Sequence, residues 1–156
     1  MIDEEGYRAN VAIVILNDQG NVFWAKRQGQ DAWQFPQGGI DHGESPLEAM
    51  YRELYEEVGL FPEDVELVAQ TSDWLKYDIP EYLIRQHAIP RCIGQKQIWF
   101  LLKMLAPDEK VTLDLCEQIE FDQWQWVDYW HPQNQVIEFK REVYQQALQE
   151  LSIHKR

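Results

Sequence analysis

Three glutamates, Glu53, Glu56 and Glu57, stand at i, i+3 and i+4 within Gly38–Leu60, GGIDHGESPLEAMYRELYEEVGL. In a helix turning about 100° per residue, that spacing gathers them inside an arc of about 100°. Carboxylates crowded on one face repel each other unless cations sit between them. An all-oxygen ligand set suits a hard ion, Mg²⁺ or Mn²⁺, and such an ion usually works on phosphates. Taken alone, an acidic run of this kind reads as a solvated helix face. Here it keeps a fixed distance from a Gly-Gly pair, Gly38 and Gly39, and follows directly on Arg52. Arg52 also lies eight residues after Glu44. It is the cation expected to clamp Glu44 and to hold the loop before the helix in shape.

These residues need a frame. The spacing predicts a helix over Ser45–Val58, with Leu47, Met50, Tyr51, Leu54 and Val58 on a packing face apart from the acids. Gly59 is its expected C-cap. Asn10–Leu16, NVAIVIL, reads as a buried strand. A turn at Asp18–Asn21 leads to its expected hairpin partner, Val22–Arg27. Gln28–Gly39 is expected to be a polar loop entering the acidic helix. Further strands are expected at Val65–Thr71, Ile98–Leu105 and Trp124–Val127, and a C-terminal helix over Gln135–Leu151. Strands interleaved with two helices make an α/β protein.

The 156 residues fit one domain, 1–156, and 45% hydrophobic with 13% aromatic residues supply a real core. No apolar run is long enough to span a membrane. The N-terminus, MIDEEGYRAN, lacks the features of a signal peptide, so a cytoplasmic protein is expected. Cys92 and Cys116 lack metal-ligand spacing and read as reduced, inert thiols. The net charge of −13 argues against wrapping a long duplex nucleic acid. It allows capture of one short phosphorylated end. Part of the acidity is local, because Gly38–Leu60 sets Asp41, Glu44, Glu48, Glu53, Glu56 and Glu57 against Arg52 alone.

The Gly38–Leu60 pattern resembles the signature of the Nudix hydrolases at every defined position. The resemblance implies an α/β/α sandwich around a mixed β-sheet. It implies metal-assisted hydrolysis of a diphosphate linked to some other group. Two or three Mg²⁺ (or Mn²⁺) ions would be held by Glu53, Glu56 and Glu57, with a carbonyl near Gly38 in the metal shell. A further carboxylate from outside the signature, Glu120, would serve as ligand or base. Glu53 is the preferred residue to take the proton of the attacking water.

A narrower resemblance runs over nearly the whole chain. GYRANVAIVI, WQFPQGGI, IGQKQIWFLL, EFDQWQWV, Tyr129-Trp130 and FKREVY at Phe139–Tyr144 are similar to motifs of the bacterial RNA pyrophosphohydrolase group. They also resemble plant-type dinucleoside polyphosphate hydrolases. The implied substrate is a 5′-triphosphorylated single-stranded RNA end, with dinucleoside polyphosphates as the alternative. A catalytically inactive, nucleotide-sensing Nudix domain is the alternative from another class, and intact Glu53, Glu56 and Glu57 argue against it. Phosphate contacts are expected among Arg8, Lys26, Arg27, Lys76, Arg85, Arg91, Lys96 and Lys140. Ile137 and Phe139 offer an apolar wall for a base, with Arg27 stacking on its other face. Trp33 is the tryptophan expected outside the core.

Overall fold

The apolar run that follows Asn10 shows no polar alternation because both of its faces are covered. Val11 to Leu16 are all essentially inaccessible to solvent, as expected for a central strand with helices on either side. The computed structural model describes residues 1–155. In chain order its strands are Tyr7–Leu16 (β1), Val22–Arg27 (β2), Trp33–Gln34 (β3), Gln37–Gly39 (β4), Val65–Gln70 (β5), Leu75–Asp78 (β6), Gly94–Met104 (β7) and Phe121–Val127 (β8). Its helices are Pro46–Val58 (α1), Pro132–Gln135 (α2) and Arg141–Ser152 (α3).

All eight strands belong to one sheet, whose central path runs β3-β2-β1-β7-β5. β1 and β7 lie parallel from Tyr7↔Gly94 to Leu16↔Lys103, and every other pairing is antiparallel. The sheet is therefore mixed. Residues of opposite parity on β1 and β7 serve opposite layers. Val11, Ile13, Phe100 and Leu102 pack against Ala49, Met50, Leu54 and Val58 of α1. Ala12, Val14, Trp99 and Leu101 pack against Val143, Tyr144, Ala147 and Leu148 of α3. The α/β/α sandwich is the observed architecture.

Several elements depart from their expected bounds. β1, β7 and β8 each begin earlier, at Tyr7, Gly94 and Phe121. Their first residues are polar or aromatic, and strand pairing rather than apolar content extends them. The Gln28–Gly39 loop contains two short strands, β3 and β4. β6 was not expected; its four residues alternate too briefly to mark a strand, and it forms by pairing with β7. The expected helix over Gln135–Leu151 is broken. Val136 is extended (φ −62°, ψ 157°) and buried in the α3-side core, and a 3-10 turn at Glu138–Lys140 precedes α3. Arg141 Nε donates to the freed Val136 carbonyl at 2.8 Å.

α1 is fixed at both ends. Ser45 caps it: its side chain accepts from Glu48 N at 3.1 Å, while Glu48 accepts from Ser45 N at 2.9 Å. At the other end Gly59 adopts φ +76° and donates to the Tyr55 carbonyl. The chain at Thr112 then crosses this end, and its N–H donates to Val58 O at 2.8 Å. A Cβ on Gly59 would lie 2.5 Å from the Thr112 carbonyl oxygen. Gly59→Ala is therefore expected to destabilise the protein by at least about 1–2 kcal/mol from the left-handed backbone alone. Urea unfolding measures it; an unchanged midpoint contradicts this account of the helix end.

Candidate active site

The Gly38–Glu44 loop and α1 are tied together by one guanidinium. Arg52 grips Glu44 with both arms, Nε to Oε2 at 2.7 Å and Nη2 to Oε1 at 2.9 Å. Nη2 also donates to the Gly39 carbonyl at 2.8 Å, and Nη1 to Glu53 at 2.7 Å and Glu56 at 3.3 Å. These contacts hold Arg52 firmly protonated and draw the Glu44 carboxyl below its usual range. The clamp expected of Arg52 is present. Glu53 is thereby aimed beside Gly38, where any Cβ would overlap its carboxyl group.

Glu57 lies one turn further along. It is 5% exposed, and neither of its carboxylate oxygens has a hydrogen-bond donor. Burial, then the charges of Glu53, Glu120 and Glu56, push its pKa well above the usual carboxylate value. Burial also raises Glu53, against the pull of Arg52. Glu53 and Glu57 line the same cleft. A buried pair this short of positive charge must hold either a proton or a cation.

Glu120 closes the site from the segment before β8. The Gln28 N–H donates to its backbone carbonyl at 2.9 Å. Together Glu53, Glu56, Glu57, Glu120 and Gly38 line a cleft of about 460 Å³, which no Lys, Arg or His enters. The orphaned Glu57 oxygens and the all-oxygen carboxylate set fit a hard divalent cation. Among the described residues, no three His, Cys, Asp or Glu side chains form a ready-made metal cage. The cleft is open, leaving coordination positions for phosphate oxygens and water.

A second hollow adjoins the first and shares Gln37 and Glu120 with it. It is lined by Arg27, Arg85, Lys140, Tyr77 and Phe139. A third continues past Arg27, Phe139 and Lys140 to Trp33 and Ile137. Lys140 is only 8% exposed. Its Nζ donates to Gln37 Oε1 at 3.4 Å and lies over the Tyr77 ring at 5.7 Å. Burial, then the Arg27 charge, lowers its pKa to about 8, opposed by Glu120 and Glu57. Gln37 is braced from behind by the buried Gln97, whose Nε2 approaches Gln37 Oε1 at 3.5 Å and donates to Asn10 Oδ1 at 2.8 Å. The Trp99 indole N–H donates to Gln97 Oε1 at 3.0 Å and so fixes which way that amide faces. The sequence therefore runs from carboxylates through cations to an aromatic and apolar end.

A family model described as NUDIX domain matches residues 6–147. The chain belongs to the Nudix family. Members of that family generally work with divalent metals such as Mg²⁺. An RNA pyrophosphohydrolase of Francisella tularensis subsp. mediasiatica is 60% identical over 148 residues, 95% of each chain. One of Hydrogenovibrio crunogenus is 58% identical over 154 residues, covering 99% of this chain and 93% of that protein. Among solved structures, the E. coli dihydroneopterin triphosphate pyrophosphohydrolase aligns with a TM-score of 0.67 at 22% identity, over 92% of this chain and 98% of that one. A C. elegans Ap4A hydrolase aligns with a TM-score of 0.67 at 18% identity, over 94% and 96%. At those identities the likeness concerns the Nudix fold.

Not every expected contact lies at this Nudix site. Arg8 is exposed on β1 and lines none of the three hollows. Lys96 pairs with Asp3 at 3.1 Å and sits over the Trp74 ring, because its parity on β7 puts it on the α1 side. Lys26 pairs with Asp122 at 2.8 Å and Lys76 with Glu5 at 3.4 Å. Arg27, Ile137 and Phe139 do come together. Sequence reasoning singled out neither Gln37 nor Tyr77, and it read Cys116, which lines the carboxylate cleft, as inert. Gln37 sits inside the quoted WQFPQGGI tract; nothing in the spacing marked Tyr77 or Cys116.

Because a Cβ at Gly38 overlaps the Glu53 carboxyl group, Gly38→Ala is expected to cost about 10²-fold or more in kcat through misplacement of Glu53. Its stability should change far less, since Glu53 can swing toward solvent. Steady-state kinetics beside thermal unfolding checks this, and a near-wild-type kcat would contradict it.

Proposed function

We propose that this chain is an RNA 5′-pyrophosphohydrolase. It takes pyrophosphate from a 5′-triphosphorylated RNA, or orthophosphate from a diphosphorylated end, and leaves a 5′-monophosphate. That change exposes a transcript to decay enzymes that prefer a monophosphate end. The reading includes a single catalytic domain working in the cytoplasm. One observation carries it beyond family membership. A carboxylate cleft that needs cations opens directly, through Gln37 and Glu120, into a hollow with Arg27, Lys140 and Phe139. Near-full-length relatives carrying the RNA pyrophosphohydrolase name, 58–60% identical, support it.

The roles follow from the local chemistry. Glu53, Glu56, Glu57 and Glu120, with a carbonyl near Gly38, would hold two or three Mg²⁺ or Mn²⁺ ions. When bound, such ions acidify water and stabilise charge on the transferred and leaving oxygens. Glu53 takes the proton of the attacking water; in the free protein burial holds its carboxyl above the usual range, against the pull of Arg52. Arg52 keeps that carboxylate oriented and cannot itself give up a proton. Lys140 and Arg27 bind phosphate oxygens beyond the bond that breaks. Phe139 and Ile137 receive the first bases, which must be unpaired to enter. Glu57 offers no donor to phosphate and so acts only through a cation or proton.

The deciding experiment compares kcat/KM on matched 5′-triphosphate RNA, its blunt duplex and dinucleoside tetraphosphate. Single-stranded RNA should be fastest, and Phe139→Ala should lower that rate more than the rate on a free nucleoside triphosphate. Stacking one base contributes about 1–3 kcal/mol, and the acidic surface should halt gains after a few nucleotides. EDTA and Glu57→Gln should each remove phosphate release, with Mg²⁺ or Mn²⁺ restoring the chelated wild type. Rapid cleavage of the dinucleotide with RNA ends untouched would assign the enzyme to dinucleoside polyphosphates.

Lys140 adds a pH dependence. Its pKa in the free protein is about 8, below the ordinary lysine value. As pH rises through about 8 the ammonium is lost, and with it one phosphate contact. kcat/KM for triphosphate RNA should fall on that limb, because this ratio reports ionisations of the free enzyme. Stability moves the other way. The unfolded chain keeps Lys140 charged to higher pH, so the cost of burying the charge disappears between about 8 and 10.5. Lys140→Met should abolish the kinetic limb; its persistence in that variant would remove Lys140 from this role.

A further inference from the structure

Cys116 lines the carboxylate cleft with Glu53, Glu56, Glu57 and Glu120, and its thiol is free and partly exposed. The chain's other thiol, Cys92, donates to the Gly94 carbonyl at 3.2 Å and lies outside that cleft. Glu57, in the same cleft, is 95% buried by its 5% exposure and has no donor on either oxygen. That orphaned carboxylate takes either a proton or a positively charged ligand, and among the described residues no basic side chain lines the cleft to provide one.

We propose that Cys116 is a modification site for cationic disulfides of the aminothiol class, which carry an ammonium group beside an S–S bond. The ammonium occupies the place that Glu57 and Glu53 leave for a cation. The Cys116 thiolate attacks the nearer sulfur, and the reagent's S–S bond breaks as the new Cys116 S–S bond forms. The other half leaves as a thiolate and takes up the proton that Cys116 gave to water. Cys116 is oxidised to a mixed disulfide, and half of the reagent is reduced to a free thiol. The adduct fills space in a cleft of about 460 Å³ that the phosphates need, so hydrolysis stops until a reductant removes it. Anionic disulfides meet four carboxylates and are repelled. Bound Mg²⁺ offsets that field and slows the cationic reagent. The loss of activity rests on the hydrolase reading above; the modification does not.

The test treats the full-length, metal-free protein with cystamine or with the anionic dithiobis(nitrobenzoate), and reads each cysteine by mass spectrometry. Rates are normalised to the same reagents on free cysteine. Cystamine should modify Cys116 with a normalised rate on the order of tenfold or more above the anionic reagent, and Mg²⁺ should shrink that ratio. Phosphate release should fall with modification of Cys116 and return with dithiothreitol. Cys116→Ser should resist inactivation, and Cys92→Ser should behave as the wild type. Equal normalised rates on Cys116, or full activity after its modification, would overturn the proposal. The mass-read preference decides the cysteine assignment even in a preparation that hydrolyses no RNA, so the two readings fail separately.

Discussion

Arg52 is the only Lys or Arg between Gly38 and Leu60, and the geometry of the cleft hangs on it. Its guanidinium joins the entry loop to α1, holding Glu44 and the Gly39 carbonyl on one side and Glu53 and Glu56 on the other. A lysine has the charge but not the planar fork that serves these acceptors at once. With the loop pinned, β4 pairs with β1 through Gly38↔Val11, and Gly38 meets Glu53 so closely that no side chain fits between them. The network spends one cation on ordering four acceptors. It leaves Glu57 with none.

That imbalance runs against stability, and the opposite face of α1 absorbs it. Ala49, Met50, Leu54 and Val58 are fully buried against the sheet. Burial of each larger apolar side chain contributes about 1.5–3 kcal/mol, enough to hold Glu57 in a place where its charge is disfavoured. The capping box at Ser45 and the left-handed Gly59 fix the helix ends, so α1 cannot rotate to release the carboxylate. A local conflict between electrostatics and burial, maintained by packing elsewhere, is characteristic of a working site.

How much of this was legible in the sequence depends on the range of the interaction. The face shared by Glu53, Glu56 and Glu57, the clamp from Arg52 to Glu44, and the Gly59 cap of α1 are local, and spacing predicts them; Ser45, read as the first helical residue, is instead the N-cap. The paired central strands were legible as apolar runs. β3, β4 and β6 were not, because segments of two to four residues are too short to carry a strand pattern and become strands only when a neighbour offers its edge. The break before α3 was hidden for a related reason. Val136, Phe139 and Val143 stand at i, i+3 and i+7, a helical spacing, yet Val136 is buried in the core with an extended backbone. Lys96 failed as a cleft residue through strand parity, which sets the face of the sheet that a side chain meets. Cys116 has no sequence partner at all; only the crossing of Thr112 over the end of α1 carries its loop to the carboxylates.

A net charge of −13 and an anionic substrate are compatible because the charge is ordered along one path. The carboxylates of the cleft would be matched by divalent cations, while the fixed cations Arg27, Arg85 and Lys140 line the adjoining hollow. Lys26, Lys76 and Lys96 are each paired with an acid and add little to the field that a polyanion meets. Three cations without an acid partner among the described residues thus stand together beside the carboxylate cleft, in a chain that is acidic as a whole. On the proposed function, such an arrangement would draw in the end of a phosphate chain and resist its body, so that selectivity for a terminus would come from where these cations stand and not from the total charge.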